Sequence, residues 1–417
     1  MARAMTSMYE RMRQEIVVGG GAEEETNAPS TSRAVLSALI IGALLVWLGV
    51  KNVWTLVFVA GLLASIFLHE VGHFVTARRT GMKATQFFMG FGPRLWSRQK
   101  GEVEYGFRAI PLGAFVRIIG MNGLDEVEPE DEQRAYRNKS FPRQLLVITA
   151  GSLMHMIIAL ALFIGVYGLA GRYDDTGKVA VVRAPEAGSP AALAGIREGD
   201  IVVALGKDKV TTRNELVEAI VGQAPGNAIE VVVQRDGVEE ILTTTLAGNP
   251  MNADIAYLGI ATSSTGYVKQ SLSDSVVHGV GDVVRTAGNS VKGVIGALNP
   301  MNSVHALRDS GQNLASRPTT VVGASQIGGQ LGKDEGLKAV LLLLASVNVF
   351  VGIFNMFPLL PFDGGHAAIA AYERLRSRRG ERYRADINKM IPLTTIVMGL
   401  MGFLLFVGLY LDITQPL

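Results

Sequence analysis

The chain has 417 residues, of which 48% are hydrophobic and only 18% are charged, and this is not the composition of a soluble multidomain protein. Its formal net charge of +2 gives no indication of a nucleic-acid partner. The sequence contains no cysteine, so disulfides, cysteine-ligated zinc and thiol catalysis are excluded. The apolar residues cluster in long runs, which indicates a membrane protein.

Residues 1–33 are polar and charged and lack the early apolar core of a signal peptide, so we expect a flexible cytoplasmic tail. The apolar runs that follow are candidates for membrane spans. They cover Ala34–Val50, Val53 to about Ala77, Leu145–Ala170, Leu337–Phe357 and Ile391–Leu411. The first run is the shortest, and it either forms a hairpin with the second or lies partly in the membrane interface. We treat residues 34–52 as an extra N-terminal helix.

Basic residues in two loops predict the orientation, because cytoplasmic loops carry an excess of Lys and Arg. One loop follows the second run and contains Arg78, Arg79, Lys83, Arg94, Arg98 and Lys100. The other precedes the last run and contains Arg374, Arg376, Arg378, Arg379, Arg382 and Arg384. A single alternation of spans puts both loops in the cytoplasm, together with the N-terminus, and puts the region between the third and fourth runs outside.

Residues 177–265 are expected to form a soluble extracytoplasmic α/β domain. Thr212 and Glu215 have the spacing of a capping box, and a hairpin is predicted over 228–246 with its turn at Asp236-Gly237. The run Ser189–Asp200 looks like part of a PDZ domain, a class that binds peptides by adding a strand to a sheet edge. Residues 266–335 then form an amphipathic linker region.

The loop over 81–120 is too apolar for an ordinary cytoplasmic segment. Val103–Tyr105 and Ala114–Ile119 favour strands, and Pro111 and Gly113 separate them. We therefore predict a β-hairpin that dips into the protein at membrane level.

The motif His69-Glu70-Val71-Gly72-His73 has the spacing of a metal-binding helix. Residues four apart share one helix face, so two imidazoles can bind one metal ion and Glu70 is free to act as a general base. The alternative is a purely structural histidine pair. Polar groups in an apolar span are costly and usually functional, which argues against that alternative.

A catalytic zinc usually has three protein ligands and one open position, and Asp363 is the candidate for the third ligand. Val53 to His69 covers about 24 Å of helix, most of the way across a membrane core of ~30 Å. The fourth run travels in the same direction, and Asp363 lies just beyond it. Gly364-Gly365 and two prolines are expected to break the helix there; an ordinary helix-ending turn is the alternative.

These motifs resemble the site-two protease family of intramembrane zinc metalloproteases. The resemblance rests on His69–His73 and on the stretch Asn355–Gly365. Phe91–Trp96, Glu104–Gly106 and Ala109–Gly113 look like the family's membrane-embedded hairpin, and Val322–Gly329 is similar to a segment of bacterial members with one PDZ domain.

The resemblance implies a polytopic α-helical membrane protein with a membrane-embedded β-hairpin and one extracytoplasmic α/β PDZ domain. Its protease core would have two halves, 53–176 and 336–417. Zn²⁺ would be held by His69, His73 and Asp363, Glu70 would be the catalytic base, and Asn355 would hold the substrate or its oxyanion. The implied partners are the lipid bilayer and single-span membrane proteins, typically anti-sigma factors, which are cut in regulated intramembrane proteolysis.

One departure from the family is visible. Members often have Gly-Pro-x-x-Asn at the start of the next span, whereas this chain has Gly151-Ser-Leu-Met-His155. We expect His155 to be a core histidine bonded to backbone, with contact to the metal site as the alternative, and His366 is left open as a neighbour of the ligands. The rival function is a catalytically silent membrane scaffold that holds partners through its PDZ domain. In a protease, that domain either filters substrates by size or captures a newly cut C-terminus.

Overall fold

A computed structural model describes residues 31–416, except for 122–126, 298, 300, 303–304, 306–307, 309–318 and 378–382. The predicted tail 1–33 therefore lies almost entirely outside the described residues, as do Arg378, Arg379 and Arg382. The described helices of at least one α-turn are α1 (Thr31–Lys51), α2 (Val53–Arg79), α3 (Phe141–Ala170), α4 (Pro190–Leu193), α5 (Arg213–Val221), α6 (Leu272–Ala297), α7 (Val321–Glu335), α8 (Leu337–Asn355), α9 (Asp363–Arg376) and α10 (Ile391–Thr414). The strands are β1 (Ala84–Lys100), β2 (Val103–Ile118), β3 (Arg172–Val181), β4 (Ile201–Leu205), β5 (Asp208–Lys209), β6 (Ala228–Arg235), β7 (Val238–Thr245), β8 (Ala247–Asn249), β9 (Asn252–Tyr257) and β10 (Thr262–Val268).

The chain divides into two compact units. The first comprises Met1–Ile164 and Val277–Leu417, and the second is Gly165–Val276. The first unit is mainly helical and carries the β1–β2 hairpin, whereas the second is built around a small sheet.

Four helices in the described part of the chain, α2, α3, α8 and α10, are long and apolar enough to cross a membrane. They coincide with four of the predicted apolar runs. The run Ala34–Val50 is helical as α1, and its role as a span stays a prediction. Asn52 separates α1 from α2 and caps α2, because its Oδ1 accepts the Trp54 N–H at 3.0 Å.

The span helices of the first unit pack through small and apolar side chains. Phe58 and Leu62 of α2 are buried against Val340 and Leu344 of α8. Helix α7, which lies in the predicted linker region, approaches α2 closely at its glycines. A Cβ on Gly332 would lie only 2.3 Å from the Trp54 side chain, so the glycine is needed for this approach.

The predicted hairpin over 81–120 is present as the antiparallel pair β1–β2. The expectation of two short strands separated at Pro111 and Gly113 is wrong, because β2 runs without a break from Val103 to Ile118. Register shifts explain the difference: Phe87 of β1 is in register with both Tyr105 and Val116. The strand bends by irregular pairing instead of ending.

The second unit has a sheet with the strand order β10-β3-β4-β6-β7, and β5 pairs with β4. The predicted capping box is confirmed, since Thr212 and Glu215 bond reciprocally at the start of α5. The predicted hairpin is β6–β7, and its turn residues Asp236 and Gly237 both have positive φ angles. The core of the second unit contains Val179, Val202, Leu205, Leu216, Val231, Val233 and Leu258.

Candidate metal centre

Helix α2 presents both predicted histidine ligands on one face. His69 and His73 are buried, and their Nε2 atoms lie 3.1 Å apart. The Nδ1 atom of His73 lies 2.7 Å from the carbonyl oxygen of Val147 in α3. A carbonyl only accepts, so Nδ1 must donate, and this leaves the lone pair of Nε2 free for a metal ion.

Asp363 comes to the same point from the other half of the chain. It is the first residue of α9, after a tight turn that follows α8. The predicted break after α8 is present over 356–362 and contains Pro358 and Pro361, but Gly364-Gly365 lie beyond it, inside the first turn of α9. A Cβ on Gly364 would lie 2.2 Å from the carbonyl carbon of Met356, and one on Gly365 would lie 2.5 Å from the Leu360 nitrogen. The glycines therefore allow the turn to pack on the helix that carries Asp363.

The three predicted ligands form a compact triangle of donor atoms. Oδ2 of Asp363 lies 3.5 Å from Nε2 of His69 and 3.3 Å from Nε2 of His73, and the two nitrogens are 3.1 Å apart. Ligand atoms at ~2.0–2.1 Å from a tetrahedral zinc are separated by about 3.3 Å. The observed edges match that separation, so the residues fit the three protein corners of such a site.

The surroundings of the triangle also fit a cation. Among the described residues, Oδ2 of Asp363 is buried and has no hydrogen-bond partner, which is costly for a carboxylate oxygen. A second carboxylate lies beside it, because Oε1 of Glu70 is 3.8 Å from Nε2 of His69. A divalent cation would compensate both negative charges, and His69, His73 and Asp363 are the residues that would hold it.

Gly151 of α3 makes room for the imidazoles. A Cβ at this position would lie 2.3 Å from Nε2 of His73 and 2.4 Å from Cε1 of His69. These separations are far below van der Waals contact, so the ligand rings and a side chain at 151 cannot coexist in this arrangement. Sequence reasoning noted Gly151 only as part of a motif and did not assign it a role.

Behind the ligands lies a buried polar network that sequence reasoning missed. His155 of α3 is a core histidine as expected. The expected backbone partner is wrong, because its Nδ1 lies 2.8 Å from Oδ1 of Asn348. Asn348 also donates to Ser65 Oγ at 3.1 Å and to the Leu344 carbonyl at 2.8 Å. The His155 ring packs against His69, with 4.9 Å between centroids. Three spans are thus tied together directly beside the centre.

The other residues considered from the sequence lie nearby or at helix ends. Asn355 is half-buried at the C-terminal end of α8, and its role in holding substrate stays a prediction. His366 is half-buried one turn after Asp363 in α9, and it is not part of the ligand triangle.

The hairpin approaches the same stretch of α2. The Phe87 ring of β1 packs edge-on against Phe67 and Phe74, with centroid distances of 5.5 and 5.3 Å. These two phenylalanines precede and follow Glu70 on α2. The pairing therefore fixes a β-strand alongside the general-base candidate.

Comparisons with known proteins identify relatives of the chain as a whole. The family model Peptidase family M50 matches residues 57–399, which is more than half of the chain. The zinc metalloprotease Rip1 of Mycobacterium tuberculosis is 33% identical over 403 residues, covering 86% of this chain and 97% of that protein. The Rip1 of Mycolicibacterium smegmatis is 34% identical over 402 residues, with the same coverage. The chain belongs to peptidase family M50, and it is a multi-pass membrane peptidase.

A solved structure gives a weaker likeness to a part of the chain. The PDZ domain of the SdrC-like protein from Listeria monocytogenes matches 20% of this chain and 85% of that chain, at 18% identity and a TM-score of 0.18. The PDZ interpretation of the second unit continues to rest on its own sequence.

Proposed function

We propose that this chain is an intramembrane zinc metalloprotease that hydrolyses peptide bonds within transmembrane segments of single-span membrane proteins, such as anti-sigma factors. The observation that carries the proposal is the triangle of His69, His73 and Asp363 with Glu70 beside it, on helices apolar enough to cross a membrane. The name zinc metalloprotease carried by the relatives supports Zn²⁺ as the metal.

The catalytic work divides among a few residues. A bound zinc ion supplies a Lewis acid that polarises the scissile carbonyl and makes water a better nucleophile at neutral pH. Glu70 accepts the proton of the attacking water and later delivers it to the leaving amine. Val147 holds the His73 ring in one tautomer and orientation through its carbonyl. Asn355 binds the unwound substrate or its oxyanion.

The substrate must unwind first, because a helix hides its carbonyls in backbone hydrogen bonds. We assign the clamping of the unwound segment to an edge of the β1–β2 hairpin, which pairs with extended peptide. Trp96, Phe107 and Ile110 of this hairpin are about half exposed, at 53%, 52% and 47%. Exposed apolar side chains of this kind suit lipid or an apolar substrate, and they support placement of the hairpin at membrane level.

The proposed topology places the N-terminus in the cytoplasm and the second unit outside. The basic loops before and after the spans support it. Both Arg78 and Arg79 end α2, and Arg374 and Arg376 end α9, so positive charge follows the two helices that carry the ligands.

The test is cleavage of a single-span reporter by purified protein in detergent or nanodiscs, with and without a chelator. Glu70→Gln should retain zinc and fold normally but lose cleavage, because it removes only the base. Glu218→Gln, a matched change at an exposed position of α5, should cleave like the parent. Normal cleavage by Glu70→Gln would refute the mechanism, and a parent that binds zinc but never cleaves would favour the silent scaffold.

A further inference from the structure

A cavity of about 300 Å³ lies in the first unit, where α3 begins. Four basic side chains are among those that line it: Arg137, Lys139, Arg374 and Arg384. The first turn of α3 contributes to the wall and contains no acidic residue. The positive end of the helix dipole therefore adds to the basic side chains.

The charge of this cavity is not balanced from within. Among its described lining residues Glu373 is the one carboxylate, and its Oε1 already accepts the Ala385 N–H at 2.8 Å. Arg137 forms an ion pair with Glu132, in which its Nη2 and Nε donate to the two carboxylate oxygens at 2.6 and 2.9 Å. The described part of the cavity wall thus keeps its remaining positive charge.

Two of the remaining cations have no acidic partner among the described residues. Within the described ranges, neither Lys139 nor Arg374 has a carboxylate within ion-pair distance. Lys139 is half-buried, and its pKa lies below the usual value because of burial and then because of the neighbouring Arg143 and Arg134. An ammonium group held among cations at a partly buried position is stabilised by an external anion.

The depth of the cavity indicates which anion. The apolar part of α3 begins at Leu145, about 6 Å along the helix from Phe141 at ~1.5 Å per residue. The headgroup layer of a bilayer extends roughly 5–7 Å beyond each side of the hydrocarbon core. The cavity therefore lies level with lipid phosphates when α3 spans the membrane. Basic pockets at this level bind the headgroups of anionic lipids.

We propose that this cavity binds the phosphate group of an anionic membrane lipid. Lys139 and Arg374 supply unpaired charge, and Arg384 adds a guanidinium that is held by Asn138 Oδ1 at 3.0 Å. A soluble phosphate has the same charge, but it does not share the lipid's anchoring at this depth. The lipid is therefore the source to which we assign the site.

The test compares the full-length protein in nanodiscs of phosphatidylcholine, alone or mixed with phosphatidylglycerol. Bound phosphatidylglycerol is counted by native mass spectrometry, and thermal stability is measured in both lipids. Lys139→Gln with Arg384→Gln should weaken phosphatidylglycerol retention about fivefold for each charge removed. Arg374→Gln serves as a second cavity variant if the double variant does not fold, because Arg374 is exposed and its replacement should not disturb folding.

The matched control is Arg98→Gln with Lys100→Gln, which removes the same charges from exposed positions at the end of β1. It should retain the lipid like the parent. Equal losses in the control and the cavity variants would mean general attraction to an anionic surface and would overturn the proposal. So would unchanged retention in the cavity variants. Inorganic phosphate or glycerophosphoglycerol that displaces the lipid at equal concentration would assign the cavity to a soluble anion instead.

Discussion

Replacing Gly151 with alanine should close the metal centre without disturbing the rest of α3. The new Cβ would lie 2.3 Å from Nε2 of His73, whereas ordinary contacts of a Cβ are 3.4 Å or more. The His73 ring must therefore retreat by about 1 Å, several times the ~0.2 Å that metal–ligand distances tolerate. The same Cβ also meets His69, so both ligand rings are displaced together.

We expect Gly151→Ala to weaken zinc binding by at least about 100-fold, the upper range for loss of a group that orients a ligand. Zinc affinity is measured by competition with a chromophoric chelator, and folding by thermal unfolding in the same detergent. Gly165→Ala is the matched control, because it lies on the same helix and the added Cβ meets nothing within 4 Å beyond its chain neighbours and its own helix backbone. The control should bind zinc normally and gain roughly 0.5–1 kcal/mol of stability.

Zinc affinity of Gly151→Ala equal to that of Gly165→Ala would refute the reasoning. It would mean that the two imidazoles do not bind metal at the positions from which the clash follows. A protein that fails to unfold cooperatively in both variants would instead show that glycine is needed for packing throughout α3.

Three further predictions concern other parts of the chain. Cysteines placed at Lys209 and at Leu375 should be labelled from outside and from the cytoplasm respectively, and the reverse pattern would contradict the charge-based topology. Asn348→Leu should lower the free energy of unfolding by about 1–3 kcal/mol, because it leaves the buried Nδ1 of His155 without its partner and removes the bond to Ser65; an unchanged thermal midpoint would argue against the network. Burial alone raises the pKa of Asp200, but hydrogen bonds from Arg235 outweigh it, so the pKa lies below its usual value. The stabilisation that ionised Asp200 gives the second unit should thus be present above pH ~4 and lost as the pH falls through the folded-state pKa. Asp200→Asn should reduce this acid-induced loss of stability when unfolding of the second unit is measured against pH.

Features set by local sequence could be predicted, and those set by close approach between distant segments could not. The i, i+4 histidines follow from helix geometry, and the Thr212 capping box follows from spacing alone. Gly151 shows the limit, since its importance depends on how near α3 comes to α2. The partner of His155 is 193 positions away in sequence, so no local pattern could identify Asn348.

The hairpin and the Asp363 turn illustrate a second limit. Pro111 and Gly113 are ordinary strand breakers, yet β2 continues past them because its pairing shifts register. Gly364 and Gly365 are poor helix formers, yet they lie in α9 because only glycine lets the preceding turn pack there. In both places tertiary contacts override local preference.

The most direct test of the metal centre is the zinc content of purified Asp363→Ala protein, measured by elemental analysis beside the parent. The parent should carry one zinc per chain, and Asp363→Ala should carry almost none, because the triangle loses a corner that lies 3.3 Å from His73 and 3.5 Å from His69. Asp254→Ala, an exposed position in the second unit, serves as the matched control and should keep its zinc. Zinc bound by Asp363→Ala as tightly as by the parent would contradict the assignment and place the third ligand elsewhere.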